Sequence, residues 1–422
     1  MEKRIERPAV ALDSLGCKLN QAEVQQLARQ LLAAGYRLVA PDDRADIYIL
    51  NTCTVTHVAD RKSRHMLRMA RRRNPHVRLV AIGCYAGRAP GELEKIEGVD
   101  LVIDNARKSQ VLQLLEDSFS INTVPAATSP ALPQDNRTRA FIKVQDGCRN
   151  FCAYCIVPLV RSHVESVPVE HVLAQVAERV AAGYREVVLT GTEIGTYSYG
   201  GVDLKGLLAR ILAETAVPRL RLSSLQPAEI SPELIGLWSD PRLCPHFHLS
   251  LQSGSDAMLV RMNRRYSTAD YRRLVSLIRD SVPDVAVTTD VIVGFPGETD
   301  EEFQESYNFC RQMRFARIHV FPYSPRPGTE AASMPRPVPA AVKKERTRQM
   351  LALAEDSAYS YRQSFLNRTM EVLWEQKSGV IWSGLTGNYI RVYARSSEDL
   401  TGRLSPVRLV KQYRDGVFGT LA

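Results

Sequence analysis

Six of the eight cysteines of this chain fall into two sets of three. Cys148, Cys152 and Cys155 share one short stretch, QDGCRNFCAYCIVP, with the spacing CxxxCxxC. Cys17, Cys53 and Cys84 are far apart, yet each ends a strand-like run: AVALDSLGC, DIYILNTC and VRLVAIGC. Clustered thiols in a reducing compartment read as metal ligands or catalysts rather than disulfides. A structural zinc site takes four protein ligands, usually as paired CxxC or Cys/His units, and a triplet without a partner pair fits that poorly. His163 lies nearby, but a lone histidine is more often a packed or surface residue. An iron–sulfur cluster usually takes four cysteines, and here the spacing supplies three. A cubane held by three thiolates leaves one iron open, and open metal positions are the ones that react.

The elements around these residues must bring them together. The first three strand-like runs are about 35 and 30 residues apart, the length of a βαβ unit. Strands alternating with helices imply a parallel sheet, whose carboxyl ends all lie on one edge. Cys17, Cys53 and Cys84 are therefore expected to converge. Asn20 is expected to cap a helix with Val24, Leu27 and Leu31 on its apolar face, ended by Gly35. A second series starts at FIKVQ, which leads into the Cys148 loop, and continues through REVVLTG, RLRLSS, HFHLSL, VAVTTDVIVG and ARIHVFPYS. Six such units suggest a (β/α) barrel, full or partial, with its site at the carboxyl ends of the strands. Ser223 and Gln252 end two of these runs, at the expected mouth. After MPRPVPAAV comes a charged helix, then short strands with Gly and Ser turns that read as a small β barrel. The fold class is α/β: an N-terminal parallel α/β sheet domain (1–118), a Pro/Ser/Thr-rich linker (119–138), a central partial (β/α) barrel (139–340), a connecting helix (341–364) and a C-terminal small antiparallel β barrel (365–422).

The chain has 422 residues, 45% of them hydrophobic and 24% charged, the composition of a soluble globular protein of two or three domains. No apolar run approaches the roughly 20 residues of a membrane helix. MEKRIERPAV lacks the apolar core of a secretory signal, so a cytoplasmic address is expected. The net charge is +9. Seven basic residues crowd RKSRHMLRMARRR, either as a solvated helix face or as a phosphate-contacting surface. In the tail, Trp374 and Trp382 are either core or, beside Arg391, Arg395 and Lys411, a stacking surface for bases. GFPGE lacks the Lys–Ser/Thr of a P-loop, which argues against nucleotide hydrolysis. Cys244 and Cys310 match neither set and read as structural.

CRNFCAYC, with Tyr154 in the aromatic place, resembles the CxxxCxφC signature of radical S-adenosylmethionine enzymes. SLGCKLNQAE, ILNTCTVT and AIGCYA resemble the N-terminal domain of the methylthiotransferases within that superfamily; EVVLTGTEIG, HLSLQSGSD, RMNRRY, TTDVIVGFPGETDEEF and PYSPRPGT resemble its central domain, and the tail resembles the RNA-binding TRAM domain. Two [4Fe-4S] clusters and S-adenosylmethionine are the cofactors this resemblance implies. Cys148, Cys152 and Cys155 would hold the cluster that cleaves S-adenosylmethionine to a 5′-deoxyadenosyl radical, and Cys17, Cys53 and Cys84 a second cluster that carries the sulfur. Tyr154 would touch the adenine, and Thr190, Gly191 and Glu193 sit where the superfamily binds the amino group, although TGTEIG departs from the usual GGE and leaves a surface glutamate as the equal alternative. Ser223 and Gln252 would reach the ribose or carboxylate, and Val293 and Gly294 would pack on the adenine. GCKLNQAE, with Lys18 and Leu19 after the cysteine, is most similar to the branch acting on threonylcarbamoyladenosine beside the anticodon; other branches act on isopentenyladenosine or on an aspartate of a ribosomal protein. Expected partners are the tRNA anticodon stem-loop and an electron donor such as flavodoxin or ferredoxin, with no membrane. The rival from another class is a non-catalytic iron–sulfur RNA-binding sensor.

Overall fold

A computed structural model describes residues 8–121 and 138–421. The linker expected over 119–138 lies, apart from its ends, outside the described residues, as does most of the stretch read for a secretory signal. Among the described residues no helix is long and apolar enough to cross a membrane.

The N-terminal part is a five-stranded sheet. Its strands are β1 (Ala9–Ser14), β2 (Arg37–Val39), β3 (Ile47–Thr52), β4 (Arg78–Gly83) and β5 (Val99–Ile103), in the order β2-β1-β3-β4-β5. Every neighbouring pair is parallel. A parallel sheet is covered on both faces, which explains why β3 is buried along its whole length. Helix α1 (Lys18–Ala33) packs Leu27 and Leu31 on one face together with Val111 and Leu115. Helix α2 (His57–Arg73) packs Leu67 and Ala70 on the other.

Two details of α1 differ from the sequence reading. The helix begins at Lys18 with Cys17 as its N-cap, so Asn20 lies inside the first turn and caps nothing. Its amide instead donates to the carbonyls of Leu15 and Thr52, tying the helix to the loops after β1 and β3. Val24 stays half-buried at the margin of the core. Gly35 does end the helix: it takes φ +92 and donates to Leu32, while Tyr36 donates to Leu31.

The central part carries six parallel strands, Arg139–Lys143, Glu186–Thr190, Arg219–Leu222, His246–Leu249, Ala286–Val293 and Arg317–Pro322. They form two ladders joined by a bridge from Leu220 to Leu243. The first and last strands do not pair, so the barrel is partial. Alternate residues such as Ile142, Leu189, Leu220, Phe247 and Val287 enter the large outer core under the helices, and the other face of each strand lines a lumen. Helix α1 lies on the inner face of the first two strands: Ala22 packs against Phe141 and Val188, and the Gln25 carbonyl accepts from the Phe141 amide at 3.2 Å. The outer edge of the last strand is covered by the long helix Ala340–Gln363, where Ser357 donates to the Phe315 carbonyl at 2.6 Å.

The tail is a closed barrel of five strands, Thr369–Ser378, Ile381–Thr386, Arg391–Arg395, Gly416–Leu421 and Leu404–Tyr413 in spatial order. It is not wholly antiparallel as expected. Arg391–Arg395 and Gly416–Leu421 pair in parallel, because an odd number of strands cannot alternate direction all the way round. Trp374 and Trp382 are both core residues, so neither offers a face for base stacking.

Candidate active site

β1, β3 and β4 are neighbours, and the loops at their carboxyl ends bring Cys17, Cys53 and Cys84 to one edge. Cys53 and Cys84 are buried and Cys17 is exposed. The approach is close enough that a Cβ at Gly16, where φ is +109, would lie 2.9 Å from the Cys53 sulfur, so glycine is required there. Burial pushes the Cys53 thiol up to about 12, and the neighbouring Cys84 and Cys17 add to it.

The second set sits in the loop after Arg139–Lys143. Gly147, at φ +76, lets the chain turn beneath the His163 carbonyl, and Phe151 takes the left-handed region at φ 45. The loop is pinned from both sides: the Ala153 amide donates to the Met262 carbonyl and the Ala153 carbonyl accepts from Ala331. The Asn150 amide points at the Cys148 sulfur at 3.4 Å, and the Arg264 guanidinium donates to the Cys152 sulfur at 3.1 Å. Burial lifts the Cys148 and Cys155 thiols to about 12.

The donor sets fit an iron–sulfur cluster better than a zinc ion. Tetrahedral zinc thiolates place their sulfurs about 3.8 Å apart. Among the described residues, the only three ligand atoms of this kind within 4.8 Å of one another belong to His248, Asp290 and His319, so both cysteine triplets are more widely set. His163 is 83% exposed and pairs with Glu165, apart from either triplet. N–H donors aimed at the sulfurs, as from Arg264 and Asn150, are the usual second shell of a cluster.

The two triplets face each other. Cys84 packs against Ile156 and Val160, which follow Cys155 in the chain. Arg161, 5% exposed, reaches across the boundary. Its Nε donates to the Cys84 sulfur at 3.3 Å, Nη1 to Glu23 and Asp146 at 2.8 Å, and Nη2 to Asn20 at 3.0 Å. Lys108 adds a bond to Glu23 at 2.7 Å, and Asn105 donates to both the Val160 carbonyl and Cys84. Burial works to raise the Glu23 carboxyl, but Lys108, Arg161 and Lys143 outweigh it and hold it well below its ordinary value.

Around the Cys148 loop, Glu193 is buried and bound by Asn150 Nδ2, while its amide donates to Gln145 at 2.7 Å. It is therefore not a surface residue. Glu229 lies beside it, lifted to about 8 by burial and by the Glu193 charge. Thr190 is buried at the end of its strand, and Gly191 packs on the Gln145 carbonyl, which a Cβ would meet at 2.7 Å. Ser223 keeps a buried hydroxyl with no protein partner. Gln252 takes the left-handed region at φ 70, its backbone bound to Asp290 and Ile292. The Val293 side chain belongs to the outer core, at the end of its strand. Gly294 follows at φ +74, where a Cβ would meet the Lys343 side chain at 2.6 Å. Ile292 instead lies with Ala153, Met258, Met262 and Phe295, against Tyr154. Reasoning from sequence missed Arg161, Arg264 and Glu229, although RMNRRY carried Arg264 in plain view.

The Radical SAM superfamily matches residues 142–310, and the uncharacterized protein family UPF0004 matches residues 9–104. Among solved structures, the radical S-adenosylmethionine methyltransferase TsrM from Kitasatospora setae superposes with a TM-score of 0.58 over 77% of each chain, at 16% identity, a likeness of fold alone. Fold and cysteine loop together define a radical S-adenosylmethionine enzyme. The threonylcarbamoyladenosine tRNA methylthiotransferase MtaB of Bacillus subtilis (strain 168) is 37% identical over 97% of this chain and 96% of its own. That of Aquifex aeolicus (strain VF5) is 37% identical over 91% of this chain and 96% of its own. The tRNA-2-methylthio-N(6)-dimethylallyladenosine synthase of Endomicrobium trichonymphae is 32% identical over 97% of this chain and 99% of its own. The chain belongs to the radical S-adenosylmethionine methylthiotransferase family, and is a transferase whose cofactors are S-adenosylmethionine and two [4Fe-4S] clusters.

Proposed function

We propose that this enzyme replaces the C2 hydrogen of N6-threonylcarbamoyladenosine, beside the anticodon of tRNA, by a methylthio group. The observation that carries this reading is the pair of three-sulfur sets facing each other across Arg161 in one polypeptide. Relatives of 37% identity over nearly the whole chain, named for that nucleoside, support the substrate. The relative named for dimethylallyladenosine, at 32%, supports isopentenyladenosine as the second reading.

The assigned roles are these. Cys148, Cys152 and Cys155 hold one cluster, and Cys17, Cys53 and Cys84 hold the other. When bound, the clusters and S-adenosylmethionine supply the radical and the methylthio sulfur that an unactivated aromatic C–H requires. The chain's own residues position and enclose. Tyr154 and Ile292 wall the nucleoside side of the mouth, and Gly191, Glu193, Ser223 and Gln252 offer polar groups to S-adenosylmethionine. Arg161 orients Cys84, and Arg264 orients Cys152. The C-terminal barrel and the outward residues of α2 receive RNA, flavodoxin or ferredoxin supplies the electron, and the address is cytoplasmic.

Mass spectrometry of tRNA nucleosides from cells with and without the gene tests the reading. Loss of 2-methylthio-N6-threonylcarbamoyladenosine is expected. Loss of the isopentenyl analogue instead would move the enzyme to the second branch, and no change in either would sink the tRNA reading.

A further inference from the structure

The lumen of the central barrel carries charges that the roles above leave unused. Its floor holds four cations, Lys18, Arg139, Arg219 and Arg221, against two carboxylates. Arg219 and Arg221 share Glu186 at 3.1 and 2.7 Å, and Arg139 pairs with Glu375 at 2.6 Å. Lys18 enters on α1, one residue after Cys17. Among the described residues it makes no close ion pair and no hydrogen bond, although the charge of Glu186 acts on it from the same floor. Its ammonium lies 5.8 Å from the ring centroid of Tyr389. Arg139 and Arg221 approach the same ring at 5.8 and 4.5 Å. Tyr389 reaches in from the C-terminal barrel at φ 68, a strained conformation for a bulky residue. Its ring stacks on His246 at 4.7 Å, and its hydroxyl accepts from Arg139 at 3.1 Å. A half-buried cation without a counter-ion is costly unless an anion joins it.

The field of this floor is felt nearby. Burial lowers His246 well below its ordinary value, and Arg221 and Lys18 push it the same way. His319 falls to about 4, chiefly through burial, with Arg317 and Lys18 adding and Asp290 opposing. His248, Asp290 and His319 make a cation-ligand set by type. However, Asp290 is already paired to His248 at 3.1 Å, and Lys18 and Arg317 face the same point. The place suits an anion better than a metal. It is also open: the Asp290 side chain, in the middle of its strand, is 25% exposed.

We propose that Lys18, backed by Arg221 and Tyr389, receives a carboxylate at the far end of the N6 substituent of the target adenosine, and so selects which modified adenosine is accepted. This rests on the reading of the substrate as an N6-substituted adenosine in tRNA. A threonylcarbamoyl group ends in a carboxylate; an isopentenyl group would bury hydrocarbon against an unpaired ammonium.

The test uses the enzyme with both clusters loaded and anticodon stem-loops carrying threonylcarbamoyladenosine, its methyl ester or isopentenyladenosine. For the wild type, the ester is expected to raise KM roughly 10- to 100-fold, the worth of one charge-assisted contact. Lys18→Met should raise KM for the acid by a similar factor and change it little for the ester, while Lys18→Arg restores most of the loss. Equal KM for acid and ester in the wild type, or an unaffected Lys18→Met, would overturn the carboxylate subsite with the substrate intact. Turnover of the isopentenyl stem-loop alone would overturn the substrate reading and the subsite with it. The ester comparison needs no variant, so it decides even if Lys18→Met fails to fold.

Discussion

At the scale of single residues, the roles proposed for the two triplets can be separated. Cys148→Ala should abolish formation of 5′-deoxyadenosine from S-adenosylmethionine under dithionite. Cys53→Ala should spare that cleavage and lose the methylthio product. An undiminished methylthio product from Cys53→Ala would remove the sulfur-carrying role from the N-terminal set. Glu229 makes a separate prediction. Its carboxyl is raised to about 8 by burial, with the Glu193 charge beside it adding. A group raised in the folded state stabilises fully below its unfolded value, near 4.5, and loses that contribution as pH rises through about 8. Glu229→Gln removes the loss. Unfolding free energies of variant and wild type should nearly coincide near pH 5 and separate by pH 9 in favour of the variant, by about 5 kcal/mol at most. Parallel pH profiles would show that Glu229 ionises normally. The convergence of Cys17, Cys53 and Cys84 was legible from sequence, because each follows a strand of one parallel sheet. The side on which Val293 points was not legible, because the direction of a strand residue depends on the partner layers, not on the motif.

At the scale of elements, α1 serves two domains. Leu27 and Leu31 hold it to its own sheet, and a period of 3.6 in the sequence announces that face. Its other face, with Ala22, Glu23 and Gln25, docks into the central barrel and covers the inner side of the first two strands. That face mixes small, acidic and amide residues, and no periodicity marks it. The Glu186–Arg219–Arg221 cluster is a comparable fastening. Burial opposes ionisation of Glu186, but Arg221 and Arg219 prevail and bring it to about 2. The same arginines donate to the carbonyls of Leu385 and Thr386 and so seat the C-terminal barrel. Glu186→Ala leaves two buried guanidiniums unpaired and should cost about 3–5 kcal/mol in urea unfolding. It should also make the peptide bonds around Leu385 more open to proteolysis. A change below about 1 kcal/mol would mean that the barrel is held elsewhere.

At the scale of the whole molecule, the surfaces proposed to meet RNA are the basic helix α2 and the tail. Of the seven basic residues in and around α2, Arg64, Arg71 and Arg73 are spent on Glu92, Asp100 and Asp42. Arg61, Lys62, Arg68 and Arg72 are exposed, which leaves four cations along one helix for phosphates. In the tail the tryptophans are buried, so the proposed RNA contact there falls to the strand surface and its arginines rather than to indole stacking. Removal of residues 366–422 should weaken tRNA binding and flatten its salt dependence, as measured by filter binding at matched ionic strength. A truncated protein that keeps its iron and binds tRNA as tightly would free the tail of any RNA role.

The sequence by itself determined the cysteine chemistry, the alternation of strands and helices, and the succession of three architectures. These depend on local signals: residue type, period, and the glycines and prolines that interrupt it. Only the tertiary structure decided that the two triplets confront each other, because that contact is made by Arg161, Glu23, Asn105 and Lys108 from segments up to 138 residues apart. It also decided that Lys18 and Tyr389, from opposite ends of the chain, meet in the lumen of a third segment. Such pairings are set by the packing of whole domains, and short-range pattern carries no trace of them.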